Sequence, residues 1–145
     1  MTYDDVNWHP GHDFPYGLEP EAAATPTGMF LAWAHLSGLG DNEHLEDNAP
    51  AVQALQARTL SPGRYYLDCW DGRLTDDVFT AEGNAFAQAY FDLDTGHFLR
   101  DYIATVVQEL PSHYHVPDTW QTYQALKPRL DHRLALWRAA KAGQD

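Results

Sequence analysis

His9, His12 and Asp13 fall within five residues of one another in the stretch NWHPGHDFP, Asn7 to Pro15. Imidazole and carboxylate are the ligand types that zinc and related metals take, and the same pair serves acid–base chemistry. A second pair, His113 and His115, flanks Tyr114 in SHYHVPD and could present two imidazoles on one side of an extended segment. If folding joined them, His9, Asp13, His113 and His115 would form the metal set of a small metal-dependent hydrolase, with a nearby carboxylate as base. The spacing argues the other way. Pro10, Gly11 and Pro15 make the first stretch a loop, whereas a chelating pair needs a rigid element to hold it. A closed structural zinc site would also draw on thiolates, and Cys69 is the one cysteine of the chain. The simpler reading has no metal and no cofactor. In it, Trp8 and Phe14 pack an N-terminal arm onto the core, and His9 or Asp13 satisfies backbone or helix-end groups.

The remaining motifs do not assemble a catalytic set. DLDTG, Asp92 to Gly96, opens like a calcium loop but has His97 where that loop needs glycine and Ile103 where it needs glutamate. WDG, Trp70 to Gly72, occurs once and reads as a helix end. Cys69, set among Tyr65, Tyr66 and Trp70, reads as a core cysteine. A lone cysteine forms no internal disulfide, which fits a reducing compartment. The start MTYDDVNWHP has neither the positive charge nor the apolar run of a secretory signal, and the most apolar stretch, GMFLAWAHLSGLG, is too short to span a bilayer. A cytoplasmic protein is expected.

Charge is the stronger signal. The 145 residues carry 9 Lys and Arg against 21 Asp and Glu, a formal net charge of −12. Asp4, Asp5, Asp13, Glu19, Glu21, Asp41, Glu43, Glu46 and Asp47 all precede Arg58, the first basic residue. Between Lys127 and Lys141 the balance reverses, with five cationic residues against Asp131. Such a field disfavours nucleic acid and anionic membrane and favours a partner with a basic face. The residues expected to meet that partner are Asp41, Glu43, Glu46, Asp47, Asp76 and Asp77.

The elements that must position these groups are helical. Residues 1–20 read as an extended arm broken by Pro10, Pro15 and Pro20. TPTGMFLAWAHLSGLG reads as a helix capped by Thr25, with so little polar face that it must be central. DNEHLEDNAPAVQALQAR reads as an exposed acidic helical region interrupted at Pro50, with Leu45, Val52 and Leu55 inward. Ser61 with Pro62, and Thr80, cap two more helices, the second with Phe86, Ala89 and Tyr90 on its inner face. GHFLRDYIATVVQEL places Phe98, Leu99, Tyr102, Ile103, Val106 and Val107 at helical period, ending at Pro111. Asp118 or Thr119 starts a further helix, and Pro128 starts or kinks the last, whose inner face is Leu130, Leu134 and Trp137. The expected architecture is all-α: a single domain over 1–145, with about six helices in a core at 21–141, the packed arm at 1–20 and a tail at 142–145.

YDDVNWHPGHDFP, ATPTGMFLAW, SPGRYYLDCWDGRLTDD, EGNAFAQAYF and YHVPDTWQTY, taken together, resemble an uncharacterised family of small acidic bacterial proteins, a domain of unknown function. The resemblance runs from about Tyr3 to Trp137. It implies a bacterial cytoplasmic protein. The family pattern has glycine where this chain has His12, which implies that a metal site needing His12 is not a family property. Trp8, His9, Asp13 and Phe14 are the positions typical of the family.

These readings converge on a non-enzymatic acidic protein that binds another protein. Its most specific form is an immunity protein neutralising a bacterial toxin. The metal-dependent hydrolase and a structural or adaptor subunit are the alternatives.

Overall fold

The arm begins as a strand. The computed structural model describes residues 1–9, 14–92 and 96–143, and in it β1 (Thr2–Asp5) pairs antiparallel with β2 (Arg73–Thr75). A register shift falls between Thr2 and Asp4, at the point where the successive side chains of Tyr3 and Asp4 are both buried. A 3-10 turn at Val6–Trp8 follows, capped by the Asp5 carboxylate accepting from Asn7 N–H at 2.9 Å.

The chain then enters α1 (Thr25–Leu36) through a 3-10 turn at Pro20–Ala24. A helix apolar on all sides has no solvent face to offer, and α1 is accordingly buried from Thr25 through His35. Thr25 is its first residue and not its cap, and Gly38, at φ 83°, makes the left-handed turn beyond its end. α2 (Asn42–Asp47) and α3 (Ala49–Gln56) are separated at Asn48, with Pro50 in the first turn of α3. Leu55 is buried, while Leu45 and Val52 are half-buried.

Short polar side chains start the later helices for the reason expected of them: each accepts an amide N–H that the first turn leaves unpaired. Ser61 caps α4 (Pro62–Cys69), Thr80 caps α5 (Ala81–Tyr90) and Thr119 caps α7 (Trp120–Ala142). Between them, α6 (Phe98–Tyr102) runs into a π-helical turn at Ile103–Val107. That turn is a correction to the sequence reading. It rotates the inner face, so Ile103 is exposed while Val107 stays buried, and the helix ends before Pro111 at Gln108, whose φ is 49°. Two further corrections concern α5 and α7. Ala87 takes the inward place expected for Ala89. Pro128 lies inside α7, which continues through it as one helix.

The result is predominantly α-helical, with seven α-helices among the described residues and one two-stranded sheet. The core is one cluster around α1, in which Phe30 and Trp33 meet Phe86, Phe91 and Phe98. α1 and α4 lie close: a Cβ on Gly28 would sit 2.7 Å from the Pro62 carbonyl oxygen and 2.8 Å from Gly63 Cα.

Candidate functional site

The arm is tied down by its polar groups more than by the rings first singled out. Asp4 has no exposed surface, so its carboxylate needs partners. Thr27 on α1 donates its hydroxyl to Asp4 Oδ2 at 2.5 Å, and His9 Nε2–H donates to Asp4 Oδ1 at 2.8 Å. The other ring nitrogen, Nδ1, lies 2.6 Å from the Tyr114 hydroxyl. Phe14 and His113 pack on the Tyr114 ring, at centroid distances of 4.9 and 4.1 Å. The hydrogen bond to Asp4 raises the His9 pKa above the ordinary imidazole value, against the burial that lowers it. Burial lowers the pKa of His113, and the neighbouring His9 adds to the effect.

Folding therefore brings His9 to the HYH segment, as a joint site would require, but the meeting is through the Tyr114 phenol. His115 turns instead to the Ser112 hydroxyl, with its Nδ1 at 2.8 Å. Asp13 and His12 lie outside the described residues. Among the described residues, no group of three or more His, Cys, Asp or Glu side chains could hold a metal ion. The carboxylate–imidazole–phenol chain can hold a proton, and its geometry joins β1, α1 and the HYH turn.

Trp8 does not join this cluster. Its side chain is 49% exposed, so the expectation that both Trp8 and Phe14 pack onto the core is corrected. Phe14 is half-buried against Tyr114, and the aromatic anchor is Tyr3. The Tyr3 ring meets Phe79 and Phe91 edge-on, and its hydroxyl donates to Asn84 Oδ1 at 2.7 Å.

A second histidine, which the sequence reading passed over, sits among the acidic residues it selected. His44 Nδ1 is 2.6 Å from Asp41 Oδ2, and its Nε2 is 3.2 Å from Asp77 Oδ2. The same Asp41 carboxylate caps α2 by accepting the His44 backbone N–H at 3.1 Å. Hydrogen bonding to Asp41 raises the His44 pKa, with Asp77 adding to the effect against partial burial, and holds Asp41 below the usual carboxylate range. Asp77 is lowered chiefly by the hydroxyl of Thr75, which donates to it. Glu43, Glu46 and Asp47 occupy positions i, i+3 and i+4 of α2 and are exposed on one face of it. Asp76, which precedes Asp77 in the sequence, lies 3.2 Å from the Met1 amino group.

Two further buried polar groups brace the core. His35 Nε2–H donates to the Val78 carbonyl at 3.0 Å, which fixes the tautomer and leaves Nδ1 to accept from Tyr65 Oη at 2.6 Å. Burial pushes the His35 pKa down to about 4, so the ring is neutral. Asp101, also buried, takes a two-pronged bond from Arg133 at 2.7 and 2.9 Å and the Tyr90 hydroxyl at 2.6 Å. Burial alone would raise the Asp101 pKa, but the Arg133 and Tyr90 bonds outweigh it and leave it lowered.

These features define a mainly helical domain, locked by buried polar pairs and displaying carboxylates along one short helix. The chain belongs to the family described as a domain of unknown function, DUF7832, whose model matches residues 2–116. No curated protein and no solved structure matches it. Among the described residues no helix is long and apolar enough to cross a membrane.

Proposed function

We propose that the protein is a non-enzymatic binding protein whose acidic face, formed by α2 and the Asp76–Val78 turn, receives the basic surface of another protein. The observation that carries this reading is the unequal use of the charges. Arg64 pairs with Asp68, Lys127 with Asp131, Arg133 with Asp101 and Arg138 with Glu82. Arg58 and Lys141 lie over the rings of Trp120 and Trp137. The cations are thus largely engaged within the molecule, while Glu43, Glu46 and Asp47 face solvent with no cationic partner among the described residues. A face of that kind speeds encounter with a basic partner and fixes its orientation. A toxin that handles an anionic substrate would present such a basic surface, and the specific form of the proposal is an immunity protein that covers it.

The test is binding to native partners before and after charge reversal. The parent protein should retain a basic partner at low salt and release it as salt screens the face. Glu43→Lys, Glu46→Lys and Asp47→Lys combined should abolish that retention without lowering the melting temperature by more than a few degrees. If the triple variant keeps every native partner of the parent, the acidic face is not the binding surface. The immunity form makes an additional demand: co-expression with the toxin it covers should rescue growth, and the triple variant should fail to rescue.

A further inference from the structure

The contacts of His44 add a regulatory element to that face. Both of its ring nitrogens lie close to carboxylate oxygens: Nδ1 is hydrogen-bonded to Asp41, and Nε2 is within ion-pair distance of Asp77. Ionised carboxylates only accept hydrogen bonds, and a neutral imidazole has a single N–H. Only the imidazolium therefore carries an N–H on both sides and a charge that attracts both carboxylates. The two contacts are unequal. The one to Asp41 is shorter, 2.6 Å against 3.2 Å, and spans a single turn of α2 whose first residues Asp41 already caps. When one proton leaves, the remaining N–H stays with Asp41, and a nitrogen lone pair is left facing Asp77. That pairing is repulsive. Asp77 keeps its bond from Thr75 and is 61% exposed, so it can turn to another cation.

We propose that His44 is a proton-operated latch: as imidazolium it holds Asp41 and Asp77 together, and as neutral imidazole it releases Asp77 to a basic side chain of the partner. The partner half of this statement rests on the binding function proposed above, whereas the latch itself does not.

The surroundings isolate His44 as the titrating group. From the turn comes Asp77, from the α2 cap Asp41, and from the end of α4 the uncharged Trp70 indole, whose centroid is 6.3 Å from the imidazole. Behind lies His35, whose charge state does not change near neutrality because burial holds its pKa at about 4. With a folded pKa raised above the unfolded one, the bridge is fully present below about pH 6.5. It is lost as pH rises through the folded value. The face then gains one net negative charge.

Ring titration by NMR tests the latch alone. His44 should titrate above the ordinary imidazole value, and Asp77→Asn should lower its midpoint. A midpoint at or below the ordinary value, or one indifferent to Asp77→Asn, overturns the latch. An N-acetylated, C-amidated hexalysine peptide, whose charge is constant between pH 6 and 8, tests the coupling. The parent should bind it roughly two- to five-fold more tightly at pH 8 than at pH 6, the size of one exposed ion pair. His44→Gln should remove that difference. An equal rise in the variant overturns the coupling. If the peptide binds neither protein at any pH, the acidic-face function fails along with the coupling, and the ring titration still decides the latch.

Discussion

Tyr3, Asp4 and Trp8 divide the arm's work differently from what their types suggest. Tryptophan is the largest apolar side chain available, yet Trp8 ends a 3-10 turn that leaves half its surface in water. Tyr3, on β1, belongs to the core cluster and is buried with its hydroxyl satisfied. Tyr3→Ala should therefore lower stability by about 3–5 kcal/mol, as a buried aromatic truncation does. Trp8→Ala should cost under about 1 kcal/mol, in the range of surface substitutions. Chemical denaturation of the two variants checks both, and equal losses would mean that Trp8 packs in solution. The candidate site was legible in the same uneven way. The types of His9 and of the HYH segment flagged a meeting that folding does produce. Its buried carboxylate, Asp4, was hidden because the partners that satisfy it, Thr27 on α1 and His9 beyond the 3-10 turn, come together only on folding. His44 was legible in principle, as an imidazole inside DNEHLED, a segment whose other charges are all carboxylates.

At the scale of elements, the caps were the most readable feature. Ser61, Thr80 and Thr119 act through their own hydroxyls on nearby amides, so sequence alone contains the whole interaction. The π-helical turn at Ile103–Val107 was not readable, because the apolar period through GHFLRDYIATVVQEL looks regular and only packing decides which residues face inward. Glycine gives a further case. Gly28 looks like a weak point in a helix, but its missing side chain is what lets α1 approach α4. Backbone atoms of Pro62 and Gly63 occupy the place a methyl would take, and backbone cannot swing aside. Gly28→Ala should destabilise by about 1–3 kcal/mol or more through overpacking, despite alanine's better helix propensity of about 1 kcal/mol. Thermal unfolding of that variant gives the sign directly, and a gain in stability would show that the two helices can move apart without loss.

For the whole molecule, the family match and the folding unit have different extents. The match stops at residue 116, and α7 begins at Trp120. Yet α7 supplies Tyr123, Leu126, Leu130 and Leu134 to the core cluster. It also supplies partners to groups that cannot do without them. Asp131 accepts the Trp33 indole N–H at 2.9 Å, and Arg133 neutralises the buried Asp101. Removing α7 would leave four core side chains' worth of apolar surface uncovered. At about 1.5–3 kcal/mol each, that is roughly 6–12 kcal/mol, comparable to the 5–15 kcal/mol that holds a typical domain together. It would also leave Asp101 as a buried charge without its cation, a loss of about 3–5 kcal/mol by itself. A chain ending at Val116 should accordingly show no cooperative melting transition and a collapsed near-ultraviolet dichroism. A peptide of residues 117–145 added in trans should restore part of that signal, because the surface it covers is apolar and the Asp101 carboxylate still awaits its guanidinium. A truncated chain that melts cooperatively within a few degrees of the parent would show that residues 2–116 carry a complete core and that α7 is an addition to it.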